Sequence, residues 1–218
     1  MKMLRRMLVA CLAICLCAVF GAVLFRIFIA EHYPSESTRF VFTESLTRHY
    51  YETGEVKAYT QDIRFPYDND DDGNFFAAAL TVVPDAGHLQ VTVRYNESTL
   101  PRVAAFYGLD AVPTPEEGLF RYELTVSYIT DDPHGLYRSY RQSHLSESDA
   151  FMYRYGRVAF DGVEFEGAVW MRVDIYYGDS DKCFGSIAVF ETQADNGSGV
   201  IVKMPLKDYK IDEEDYPQ

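Results

Sequence analysis

The chain has 218 residues, with 33 Asp and Glu against 20 Lys and Arg, a net charge of −13 and 48% hydrophobic side chains. All 33 acids follow Arg26, while four of the basic residues stand at or before it, so the remainder sets 16 positive charges against 33 negative, a net −17. A segment that acidic repels nucleic acid, and repels anionic lipid or wall polymer unless cations intervene; cations or basic partners are its natural ligands.

Residues 1–6, MKMLRR, form a basic flank. From Met7 to Phe25 about 19 residues carry no charge, enough for one membrane-crossing helix. Cleavage after Ala30 would put Phe28 where a signal peptidase needs a small side chain, so residues 7–30 read as an uncleaved transmembrane signal anchor. Only about four apolar residues precede Cys11 in LVAC, too few for a lipoprotein signal, which leaves lipidation there as the minor alternative. Lys2, Arg5 and Arg6 hold the N-terminus in the cytoplasm, so the expectation is a single-pass protein of the cell membrane with its C-terminal domain extracytoplasmic. Cys11, Cys15 and Cys17 read as packing residues of the span. Cys183 is alone in the outer part, which excludes an intradomain disulfide, fits the surface of a bacterium that makes little use of disulfides, and reads as a buried residue of a core strand.

A short stalk follows over residues 31–38, EHYPSEST, and one domain is expected over 39–206. A helix is predicted from about Thr43 to Glu52, ended by Gly54. Next come VKAYTQDIRFPY and NFFAAALTVV, two strands flanking DNDDDGN, Asp68 to Asn74. Asp68, Asp70, Asp72 and Gly73 match the first, third, fifth and sixth positions of a calcium loop. The twelfth position, where a bidentate Glu belongs, is Ala79, and Pro66 opposes an entering helix. Two readings stand: an acidic hairpin turn centred on Asp72-Gly73, or a weak calcium site on Asp68, Asp70 and Asp72.

HLQVTVRY alternates with Leu89, Val91, Val93 and Tyr95 on one side. NESTLPRVAAFYGLD predicts a short helix, with Ser98 as N-cap, Pro101 in the first turn, Gly108 as C-cap, and Leu100, Val103, Ala104 and Tyr107 packed on the sheet. LFRYELTVSYIT places Phe120, Tyr122, Leu124, Val126 and Tyr128 inward. MYRYGRVAF, GSIAVFET and GVIVKM are further strands, and AVWMRVDIYYG sets Val169, Met171, Val173, Ile175 and Tyr177 against Trp170, Arg172, Asp174 and Tyr176. Residues 207–218 read as a solvated acidic tail. These elements predict a mainly β fold: an N-terminal transmembrane helix, then an antiparallel β-sandwich of immunoglobulin-like kind with one or two short helices, the alternative being a partly open β-barrel.

VTVRYNESTL, AFYGLD, YGRVAFDGVEFEG, RVDIYYGD and GSIAVFET resemble a family of N-terminally membrane-anchored surface proteins of Gram-positive gut anaerobes, over roughly Leu89 to Thr192. The resemblance implies location and fold, and brings no catalytic residues with it. No nucleophile elbow, zinc-binding helix, phosphate loop or cysteine-histidine ligand set is present. His32, His49, His88, His134 and His144 are scattered and read as surface residues, and Glu164 and Glu166 as solvated positions of a strand. Trp170, Arg172, Asp174 and Tyr176 form a candidate binding surface, since an apolar ring with a polar tip suits partly wet recognition. The expected function is a non-enzymatic anchored module, without a bound cofactor unless the calcium loop is real, that contacts another surface protein or a cell-wall glycan. The alternative is a surface enzyme acting on wall sugars through a carboxylate pair.

Overall fold

The structure, a computed structural model, describes residues 2–31, 39–66, 76–128, 136–150, 153–191, 193–194, 201–202 and 207–218. It divides into two compact units, Met1–Ser35 and Glu36–Gln218. The first unit contains one helix, α1 (Lys2–Glu31), whose stretch Arg5–Phe25 has a mean hydropathy of 2.9 and no buried share. Twenty-one residues at 1.5 Å each span about 30 Å, so this helix is long and apolar enough to cross a membrane.

The second unit is mainly β. It opens with α2 (Glu44–Thr53), which Thr43 caps by accepting from the Leu46 N–H and which Gly54 ends in the left-handed region, at φ 75°, with its N–H bonded to the Tyr50 carbonyl. Nine main strands follow: β1 (Ala58–Pro66), β2 (Phe76–Val83), β3 (His88–Tyr95), β4 (Phe120–Tyr128), β5 (Leu136–Arg141), β6 (His144–Ala150), β7 (Tyr153–Phe160), β8 (Ala168–Tyr177) and β9 (Cys183–Glu191). Short β10 (Gln193–Ala194) and β11 (Ile201–Val202) pair with each other, and β12 (Lys207–Tyr209) pairs with β1. One sheet runs β12-β1-β2-β3-β7-β6 and the other β5-β4-β8-β9, with every pair antiparallel.

The period-two patterns say which faces meet. Leu89, Val91, Val93 and Tyr95 of β3, all five inward residues of β4, and Met171, Val173 and Ile175 of β8 share one buried core. Between β3 and β4, α3 (Leu100–Tyr107) buries Leu100, Val103 and Ala104 and closes on Gly108, as its sequence requires. Its N-cap differs from expectation. Ser98 lies inside a 3-10 turn over Glu97–Thr99, and Asn96 caps that turn by accepting from the Ser98 N–H.

Several expectations are overturned, each by tertiary packing. β5 and β6 were not legible, because they are edge strands in which polar residues outnumber the few apolar ones and no apolar alternation shows. They form one segment that leaves the four-stranded sheet and enters the six-stranded one within two residues. Gln142 exchanges bonds with the Tyr122 backbone, and the Ser143 N–H then donates to the Ala159 carbonyl at 2.8 Å. In β8 a register shift opposite Ser127 and Tyr128 bulges Val169 out, so Ala168 takes the core position. Cys183 is half-buried rather than in the core.

The polar side of β3 is buried as well, because the N-terminal segment crosses it. The Gln90 amide accepts from the Val41 N–H and donates to the Arg39 carbonyl, both at 2.9 Å, and so acts as a backbone rung. His88, expected at the surface, is fully buried, with Nδ1 2.9 Å from Asp161 Oδ1, and the Thr43 hydroxyl donates to the same oxygen at 2.8 Å. The C-terminal residues, expected to be a solvated tail, are docked there too. Ile211 is buried with Phe40, Leu46 and Val83, Tyr216 packs on Phe42 and Tyr50, and Arg39 is paired with Asp215. Apolar residues in that tail are too few to signal a face, but Tyr209, Ile211 and Tyr216 suffice to hold it against Phe40 and its neighbours.

Candidate binding face

The four-stranded sheet has an outer face that no other described element covers. Antiparallel register sets its rows: Tyr137, Ser127 and Trp170 lie side by side on β5, β4 and β8, and Ser139, Thr125 and Arg172 form the next row. Trp170, Arg172, Asp174 and Tyr176 therefore do lie on one side of β8, but they do not share one environment. Asp174 is buried. It accepts from the hydroxyls of Thr125 and Ser186, and Arg172 Nε stands 2.7 Å from its Oδ1, an ion pair without the alignment of a hydrogen bond. Asp174 thus positions its neighbours and presents no contact surface of its own. The Arg172 guanidinium lies over the Trp170 ring at 5.1 Å, and that of Arg121 over Tyr176 at 4.3 Å.

Two shallow hollows result. Thr125, Ser127, Tyr137, Trp170 and Arg172 line one of about 380 Å³. Arg121, Glu123, Arg141, Tyr176, Asp179 and Asp181 line another of about 360 Å³. Burial, reinforced by Cys183, Asp174 and Glu123, raises the Tyr176 hydroxyl above its ordinary value. Glu164 and Glu166 lie in the β7–β8 loop rather than on a strand, both exposed, with Glu164 paired to Arg138. Asp68, Asp70 and Asp72 fall outside the described residues, as do His32 and His134; among the described residues no group of three or more His, Cys, Asp or Glu converges to hold a metal.

A second feature was hidden with β5 and β6. At one end of the core the inward positions turn polar: Tyr95, Arg154 and Asp149 form a row across β3, β7 and β6, and Val93, Gly156 and Glu147 form the next. Above them opens a cleft of about 610 Å³ lined by Tyr95, Glu97, Ser98, Asp149, Tyr153 and Arg154 among others. Arg154 donates to both Asp149 oxygens, at 2.9 and 3.2 Å. Beneath it Glu147 accepts from the Gly118 N–H at 2.9 Å, and burial raises its carboxyl above the usual range; Arg154 Nη1, at 3.9 Å, is too far for a hydrogen bond. A Cβ on Gly156 would stand 3.2 Å from Val93 Cγ2, so any larger residue there would have to push that methyl aside by a few tenths of an ångström. Charged residues at inward positions of SESDA and YRYGR are the signal that could have located this cleft, had β6 been read as a strand. Compared with protein-family models, curated proteins and solved structures, the chain matches none.

Proposed function

We propose that the protein is a single-pass, membrane-anchored module whose extracytoplasmic domain contacts a cell-wall component or another surface protein through the outer face of its four-stranded sheet. The observation that carries this reading is the contrast between the two outer faces. On the β3 side the N-terminal segment covers His88 and Gln90, and Thr92 and Arg94 are buried as well, whereas Trp170 and Tyr176 stay half-exposed and Tyr137 is 61% exposed. The basic flank and apolar α1 support the anchor and its orientation, and the resemblance to anchored surface proteins of Gram-positive gut anaerobes agrees with that location. Two stacked antiparallel sheets support a sandwich of immunoglobulin-like kind, while the strand shared through Gln142 and Ser143 supports a partly open barrel instead.

Protease added to intact cells should remove the outer domain; a protected C-terminus defeats the anchor. Trp170→Ala should release the protein from its surface partner while costing under about 1 kcal/mol of stability, whereas Val173→Ala, fully buried, should cost about 2 kcal/mol. Equal losses in urea melts would make Trp170 a packing residue. A second reading, an enzyme acting on wall sugars, has support in the polar cleft: Glu147, a carboxyl whose pKa burial raises above the usual range, lies beneath Asp149 and Arg154. Loss of hydrolysis of purified wall glycan in Glu147→Gln, with unchanged folding, is its test. Inward-facing charge on an edge strand also blocks pairing with a second chain, and activity alone separates the two roles.

A further inference from the structure

The hollow around Trp170 has a composition and a width that narrow the class of ligand. Tyr137 and Trp170 stand on either side of Ser127, two strand spacings apart, roughly 9.6 Å between β5 and β8. Two aromatic side chains flanking a serine make a slot with a small floor. A flat ring entering it needs van der Waals separations of about 3.5 to 4 Å on each side, a total below the backbone spacing of the two strands that carry the aromatic residues. Hydroxyls of Ser127 and Thr125 and the Arg172 guanidinium supply polar groups at the floor and wall. The one charged side chain lining the slot is neutralised from below by Asp174, so the site offers hydrogen bonds without a net charge to be matched. Apolar planes with neutral hydrogen-bonding edges suit a molecule that has an apolar C–H face and a rim of hydroxyls. Resting on the binding-face reading above, we infer that this slot binds an uncharged pyranose ring of an oligosaccharide, stacked between Tyr137 and Trp170. A peptide partner is the less fitting occupant, because an apolar anchoring side chain between the rings would leave the Ser127 and Thr125 hydroxyls along the floor of this hollow of about 380 Å³ unmatched.

Trp170 is the sole tryptophan in 218 residues, so the intrinsic emission of the full-length protein in detergent micelles reports on this slot alone. The titration uses two probes, an uncharged N-acetylglucosamine oligomer and a glucose oligomer, whose difference shows whether an N-acyl group is required. A saturable emission change with either is expected, weakened at least about tenfold by Tyr137→Ala, an exposed position that leaves folding intact, and by Ser127→Phe, which fills the floor. An emission change that persists undiminished in Ser127→Phe overturns the inference, since the sugar then sits elsewhere. So does the absence of any change up to about 10 mM of both probes, and binding of the full chain to isolated walls then says how much falls with it. Wall binding still lost in Ser127→Phe keeps the face and removes only the saccharide; wall binding indifferent to Ser127→Phe removes both.

Discussion

At the scale of single residues, the most informative group is Asp161. Burial alone would raise its pKa, but hydrogen bonds from His88, Ser45, Thr43 and Ser143 outweigh that and hold it at about 2. A carboxyl depressed from its ordinary value of about 3.9 contributes stability that is complete above that value and is lost as pH falls through 2. The β-rich unit should therefore weaken between about pH 5 and pH 2. Asp161→Asn should cost about 1 to 2 kcal/mol at pH 7, allowing for solvent screening of a half-buried group, and should flatten that acid limb in denaturant melts. An unchanged pH profile in the variant would show that other carboxyls set it. Neither His88 nor Asp161 announced this role in the sequence. They are 73 residues apart, and what makes them partners is the register of β3 with β7 and the segment laid over both.

At the scale of elements, legibility followed burial. Where one face is dry and the other wet, as in β4 and β8, alternation is written in the side chains and the inward residues can be named in advance. β3 is dry on both faces, so its alternation of Val with Thr, Gln and Arg describes the two sides correctly while concealing that both are covered. β5 and β6 are edge strands that send only Tyr140 and Leu145 toward the core, too few apolar residues to mark a face. The C-terminal segment is the element whose role is most easily tested. It pairs with β1 through β12 and buries Ile211 against α2 and Phe40, so deleting residues 207–218 should lower stability by several kcal/mol and leave the β1 edge unpaired. Size-exclusion chromatography should then show association of the truncated protein. A monomer of unchanged melting temperature would return the segment to the status of a solvated tail.

At the scale of the whole molecule, charge is the property to test, because a net −17 beyond Arg26 is its largest departure from an ordinary domain. If Asp68, Asp70 and Asp72 coordinate calcium without a bidentate twelfth ligand, affinity should lie on the order of 0.1 to 1 mM. Calcium at about 100 times its dissociation constant should then stabilise the protein by about 2.7 kcal/mol, with magnesium doing much less. The measurement is a thermal melt at matched ionic strength beside Asp70→Asn and Asp72→Asn. Equal shifts from both cations would mean generic screening of an acidic surface. The sequence by itself determined the apolar N-terminal helix, the charge, both helices of the β-rich unit with their glycine stops, and the inward residues of β4 and of most of β8, because each is a local matter of period, capping or composition. Only the tertiary structure decided which outer face is sealed and which is open, that Asp174 lies buried beneath the open face of the four-stranded sheet, and that Glu147 lies under a cleft. Those outcomes depend on the N-terminal segment and the C-terminus packing on one sheet, and on a strand crossing between sheets, contacts between residues whose separation along the chain leaves no local pattern.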